Sequence, residues 1–314
     1  MLLTLFLETA TQFIFVILCA PLFAGIFARF KARVESRKGP SIFQPYYDLF
    51  KLLKKETLVP EGSSILFRFV PYVAFGVYCL IALIIPVLIP VPVIFTASAD
   101  FLGGAILFSF AAFLKMAAAM DSGSNLAAMG VSRLASFNFL GEGALITVFI
   151  AVSLITATDN PYTTNQYLIS NPSANITLVH VFATLAFFMI FLYETGKIPL
   201  ESSGLQELGM VDESLNYEYS GRLLAVNKWS SYMKQYLLGS VLLNVFLFPW
   251  GLYSTSPYFL LDVPVMIGKW LLLIFIVMII ETTLAKVRLF KILDYLAVAF
   301  TFSILFLLLS EVMH

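Results

Sequence analysis

Residues 137–157 read FNFLGEGALITVFIAVSLITA, an apolar run interrupted by one formal charge, Glu142, set between Gly141 and Gly143. Crossing a bilayer takes roughly 20 mostly apolar residues per helix, and this run meets that length. It has companions. Further apolar runs lie between clusters of charged and turn residues, at 5–27, 69–93, 101–120, 177–195, 232–253, 262–283 and 293–312. Pro86, Pro90 and Pro92 predict a kinked or broken outer end for the second of these, which membrane helices tolerate when neighbours satisfy the freed backbone groups.

Composition gives the same class. Of 314 residues 60% are hydrophobic and only 12% charged, the latter about half the share of a soluble domain; the mean hydropathy is +0.91. No water-soluble fold hides that much apolar side chain. The expectation is an all-α integral membrane protein of about eight transmembrane helices, with 1–314 forming a single transmembrane helical domain without an internal repeat. A formal net charge of zero argues against a nucleic-acid partner. Met1 to Leu7 carry none of the basic residues that open a cleavable signal.

Basic residues segregate by loop. Every Lys and Arg except Lys115 and Lys269 falls in the first, third, fifth or seventh connection, and the even connections hold none. Because Lys and Arg are retained on the cytoplasmic side, this predicts cytoplasmic odd loops and both termini outside, in a cell (inner) membrane. Cys19 and Cys79 sit in apolar runs without a CxxC partner, and His180 and His314 are not paired for a haem. An iron–sulfur cluster needs several thiolates. The reading is therefore of a chain without a cofactor or bound metal of its own.

The first connection is patterned. In SIFQPYYDLFKLLKKE, residues 41–56, Ile42, Phe43, Tyr46, Phe50 and Leu53 recur at helical spacing while Gln44, Asp48, Lys51 and Lys55 take another face. That is an amphipathic helix suited to the headgroup level, with Gly39-Pro40 breaking the chain before it. A lipid anchor explains the basic residues but not Asp48 among them.

Four blocks in chain order carry a family resemblance. They are Arg37-Lys38-Gly39-Pro40 with Gln44, Asp48 and Lys51; Asp121-Ser122-Gly123-Ser124 with Gly130 to Arg133; Glu194-Thr195-Gly196-Lys197-Ile198-Pro199 followed by Glu218-Tyr219-Ser220-Gly221; and Glu281-Thr282-Thr283-Leu284-Ala285-Lys286. Together they resemble the membrane subunit shared by respiratory complex I (NuoH-type) and the energy-converting nickel-iron hydrogenases. The stretch from Glu194 to Pro199 and the segment from Lys228-Trp229 to Lys234-Gln235 are more similar to the hydrogenase and formate hydrogenlyase branch. The chain departs from complex I relatives in a fifth loop thinner in carboxylates and in Leu134 after Arg133.

The resemblance implies a subunit whose first and fifth loops dock a hydrophilic arm and whose buried glutamates open a proton path. It implies iron–sulfur and nickel–iron centres in cytoplasmic partner subunits, and antiporter-like and small membrane subunits beside this one. On the first loop the docking candidates are Arg37, Gly39, Pro40, Gln44, Asp48 and Lys51. On the fifth they are Lys197, Pro199, Glu201, Glu207, Glu213, Glu218, Tyr219 and Arg222.

The residues point to coupling groups independently. An ionisable group at mid-bilayer costs about 2.5–3.5 kcal/mol on insertion scales, so each one asks for a function. Lys115, Asp121, Glu142, Glu194 and Glu281 fall toward the cytoplasmic ends of their runs, where a low dielectric lets carboxyls exchange protons near neutral pH. Glu142 is expected just over one turn inside its helix. Lys269 alone belongs to the outer half, from which it is expected to snorkel outward. Three functions follow: an energy-coupling subunit moving protons or sodium in a hydrogenase-type or formate hydrogenlyase complex, a quinone-site subunit of an NADH dehydrogenase-like complex, or a stand-alone secondary transporter.

Overall fold

In lipid a backbone N–H has no water to bond, so an apolar run satisfies its own polar groups as a helix. The structure, a computed structural model, describes residues 2–89, 100–171, 177–198, 213–252, 262–283 and 291–313, and the described residues contain no strand. Their helices are α1 (Leu2–Val34), α2 (Gln44–Leu53), α3 (Ile65–Ile84), α4 (Phe101–Asp121), α5 (Asn125–Thr156), α6 (Pro161–Ser170), α7 (Leu178–Glu194), α8 (Gly221–Val241), α9 (Asp262–Thr283) and α10 (Lys291–Met313). A π-helical segment, Leu242–Leu247, prolongs α8.

Six described helices, α1, α3, α4, α5, α9 and α10, are long and apolar enough to cross a membrane; the protein is multi-pass. The apolar α7 is shorter, and α8 carries polar residues along much of its length. These eight occupy the eight apolar runs. The long helices alternate in direction between two ends of the bundle, one marked by α2 and the other by α6. At the α2 end, Asp121 closing α4 meets Ser64 before α3, and Lys31 of α1 pairs with Glu281 of α9. At the α6 end, the Phe101 N–H of α4 bonds Asp159 O. Helix α5 packs against α4, α7 and α10, and α8 packs against α1, α2 and α3.

Two helices begin well before their apolar runs. Helix α5 starts at Asn125 rather than near 137, and α8 at Gly221 rather than near 232. Hydropathy reports which part of a helix is apolar, whereas a helix continues wherever its hydrogen bonds and packing allow. Arg133, Arg222, Lys228 and Lys234 therefore stand on helices, not in loops, and Glu142 lies near the middle of α5 instead of one turn inside it.

Helix α3 ends at Ile84, with Ile85 extended and Pro86 next, as the prolines required; Pro90 and Pro92 lie outside the described residues. Helix α2 is present but its faces are redistributed. Pro45 and Leu49 are buried while Phe43, Tyr47 and Phe50 are exposed. The helix lies back along α1, with the Tyr46 hydroxyl donating to Leu18 O. Burial there pushes the Tyr46 phenol up to about 12.

Candidate functional site

Near the α2 end, α3, α4, α5, α7 and α8 enclose a cavity of about 240 Å³, with Glu213, Leu215 and Asn216 of the segment before α8 at its rim. Besides Glu213 at the rim, its charges come from three helices. Lys115, 8% exposed on α4, donates to Ser231 Oγ of α8 at 3.2 Å and lies 5.5 Å from the Tyr78 ring centroid. Glu194, the last residue of α7, pairs with Lys234 of α8 at 2.5 Å. Burying a charge is tolerable when it is paired and bonded, and the Glu194–Lys234 contact supplies that pairing.

Behind this pair runs a second polar chain. The Tyr193 hydroxyl donates to Asn138 Oδ1 at 2.7 Å, and Asn138 Nδ2 donates to Glu142 Oε1 at 3.4 Å. Gly141 makes the arrangement possible. A Cβ there would meet Tyr193 Cε1 at 2.8 Å and Glu194 Oε1 at 3.6 Å, whereas a Cβ at Gly143 would meet only Phe300 at 3.7 Å. The two glycines flanking Glu142 thus do different things: one admits α7 against α5, the other is ordinary surface contact.

Of the expected coupling residues, Lys115 and Glu194 line the cavity and Glu142 reaches it through Asn138. Asp121 points elsewhere. Its carboxylate accepts from Ser64 N and Ser64 Oγ, both at 2.8 Å, and from Phe67 N at 3.2 Å, so it caps the start of α3. Glu281 pairs with Lys31, away from the residues that line the cavity.

The described docking candidates take varied places. Arg37, exposed, pairs with Glu35 at 2.6 Å; Gly39 packs on Arg29 and Ala32; Pro40 and Lys51 are exposed. Within α2, Gln44 donates to Asp48 at 2.9 Å, which gives the acidic residue among the lysines a local partner. Lys197 lies 3.9 Å from the Phe27 ring centroid. Glu213 is exposed and Glu218 half-buried. Tyr219 is buried, stacked on Phe67 at 4.2 Å with its hydroxyl donating to Phe67 O. Its burial and then the Asp121 carboxylate raise the Tyr219 phenol, keeping it a donor. Arg222 is exposed beside Lys54, Lys55, Glu56 and Thr57. Pro199, Glu201 and Glu207 lie outside the described residues.

Sequence reasoning did not single out Lys234, Asn138, Tyr193 or Ser231 as site residues. Lys234 read as a loop cation because the apolar run starts near it; Asn138 and Tyr193 are neutral and carry no signal until α5 and α7 are brought together. Nor did it foresee Lys269. That residue does not snorkel: it is 9% exposed and turned inward, bonded to Asn244 Oδ1 and Phe248 O, because α8 offers acceptors closer than the membrane surface.

The family model described as NADH dehydrogenase matches residues 7–311. Hydrogenase-4 component C of Escherichia coli K12 is 32% identical over 283 residues, covering 88% of this chain and 87% of that one. Formate hydrogenlyase subunit 4 of the same organism is 31% identical over 277 residues, covering 86% and 87%. Among solved structures, a chain of the membrane-bound sulfane sulfur reductase, an archaeal respiratory membrane complex, superposes with a TM-score of 0.81 over 98% of this chain and 99% of that one, at 20% identity. The last shows a shared fold.

Proposed function

The chain belongs to the NADH dehydrogenase family, and from that premise we propose that it is the membrane-anchoring, energy-coupling subunit of a complex-I-like oxidoreductase. Its complex is of the energy-converting hydrogenase or formate hydrogenlyase type; the two Escherichia coli relatives are named as components of a hydrogenase and of a formate hydrogenlyase. The observation that carries the reading is the ion-paired cavity at the α2 end, where Glu194, Lys234 and Lys115 meet beneath a rim of loop residues.

A hydrophilic arm seated on that rim touches Glu213 and the α2 loop, and its redox chemistry is transmitted as a shift of the rim. The Glu194–Lys234 pair is sensitive to such a shift. Opposite charges interact more strongly in a low dielectric, by roughly 4 kcal/mol at 4 Å for an effective dielectric of 20. Separating Lys234 from Glu194 leaves each buried charge without its partner, which draws a compensating cation into the cavity. The Tyr193–Asn138–Glu142 chain offers the next acceptor.

The arm side is cytoplasmic in this reading, since Arg29, Lys31, Arg33, Arg37 and Lys38 gather at the α2 end. The membrane is the cell membrane, with both termini outside. Iron–sulfur and nickel–iron centres belong to the arm, and antiporter-like and small membrane subunits flank this chain. Cys19 and Cys79 are free thiols, and among the described residues no group of three His, Cys, Asp or Glu is placed to hold a metal.

The test is purification followed by reconstitution. The tagged chain should bring down iron–sulfur and nickel–iron subunits, and the complex in proteoliposomes should couple turnover to ion movement. Glu142→Gln should abolish translocation in an assembled complex. A chain that purifies alone, or full translocation by that variant, defeats the proposal.

A further inference from the structure

Helix α8 carries a polar stripe from the cavity toward the α6 end. Tyr232, Tyr236, Ser240 and Asn244 recur every four residues and so share one face. Tyr232 lines the cavity. Tyr236, 1% exposed, stacks on Trp270 of α9 at 4.9 Å. Ser240 and Asn244 are fully buried. Gly239 admits the contact, because a Cβ there would collide with the Trp270 ring.

The stripe ends on a cation. Lys269 donates to Asn244 Oδ1 at 3.1 Å and to Phe248 O at 2.7 Å. Here the backbone is doubly irregular: Leu242–Leu247 is π-helical, and α3 has just ended. Asn244 Nδ2 donates to Pro86 O at 3.0 Å and Val87 O at 2.9 Å; Asn165 Nδ2 of α6 donates to Asn244 O at 2.6 Å. His180 of α7 bonds Phe246 O at 2.9 Å. Two turns before Lys269, on the same buried face of α9, stands Asp262, 0% exposed. Ionisable groups buried within a membrane bundle mark ion pathways and proton relays, and π-helical insertions concentrate at functional sites.

We propose that this stripe and Lys269 form a proton route through the chain, joining the Glu194–Lys234 cavity to the opposite membrane face. It rests on the coupling role argued above and adds to it a relay that the coupling role alone does not require. The Lys269 ammonium breaks an N–H bond to release its proton toward Asp262 and the α6 end. The resulting amine forms an N–H bond with a proton delivered along Tyr232, Tyr236 and Ser240. Four-residue steps leave Cβ atoms about 5–6 Å apart, a span that waters bridging the buried hydroxyls close.

The competing role is a fixed clamp, in which the ammonium ties the end of α8 to α9. Arginine separates the two, since it keeps the charge and the donors but does not deprotonate in proteins. In the reconstituted complex, Lys269→Arg and Lys269→Met should both keep electron transfer and lower protons moved per turnover at least tenfold. Wild-type pumping by Lys269→Arg overturns the route and leaves the clamp. Tyr236→Phe, which removes one oxygen, covers failure of the lysine variants to assemble: it should lower pumping likewise, and unchanged pumping overturns the route. A wild-type complex that turns over without moving any ion instead sinks the coupling role itself, and one that moves sodium but no protons overturns the route alone.

Discussion

Replacing Gly141 by alanine tests the geometry of the cavity wall. The new methyl would sit 2.8 Å from Tyr193 Cε1 and 3.1 Å from Cδ1, closer than packed carbons approach. The ring is not free to yield, because its hydroxyl is held by Asn138 at 2.7 Å and Asn138 in turn reaches Glu142. Overpacking of this kind costs about 1–3 kcal/mol, while alanine in place of glycine inside a helix returns about 0.8–1.0 kcal/mol. The net is a destabilisation of roughly 0–2 kcal/mol, together with a displaced Tyr193–Asn138–Glu142 chain. At Gly143 the same methyl meets only Phe300 at 3.7 Å, so the helix-propensity gain stands alone, near 1 kcal/mol. Two adjacent Gly→Ala changes should thus have opposite signs. The assay is the apparent unfolding midpoint of the detergent-purified complex, paired with translocation per turnover. Gly141→Ala should lower both, and Gly143→Ala should raise the first and spare the second. If both variants shift the midpoint alike, the wall does not have the geometry described here.

Glu194→Gln strips the counter-charge from Lys234 and should cost up to about 3–5 kcal/mol, the penalty for leaving one member of a buried pair alone; adding Lys234→Met should restore most of the midpoint but not translocation, and restored translocation would show the pair to be structural. Asp121→Ala should lower the midpoint by about 1–2 kcal/mol through loss of the α3 cap, whereas Asp121→Asn, still an acceptor, should recover most of it. Neither Asp121 variant should change ions moved per turnover, and a changed ratio would return Asp121 to the coupling path. Tyr219→Phe removes the bond to Phe67 O while keeping the stack, so a loss of about 1 kcal/mol with unaltered copurification of the arm is expected; a lost arm would make the Tyr219 hydroxyl part of the docking surface.

The membrane class and the approximate place of each helix were legible because lipid imposes a single demand, and apolar runs record it residue by residue. The inventory of costly charges was legible for the same reason: Lys115, Glu142, Glu194 and Glu281 stand out against apolar neighbours. The four motif blocks carried the family. Helix starts at Asn125 and Gly221 were not readable, since the leading turns of α5 and α8 are polar enough to pass for loops. Only the tertiary structure decided what each charge does. Glu194 meets Lys234, Glu281 meets Lys31, Asp121 turns to the backbone of α3, and Lys269 turns inward to Asn244. Those partners lie on helices distant in sequence, and which of them comes within hydrogen-bonding reach depends on the rotation and close approach of packed helices. Hydropathy is a one-dimensional record of burial and contains neither.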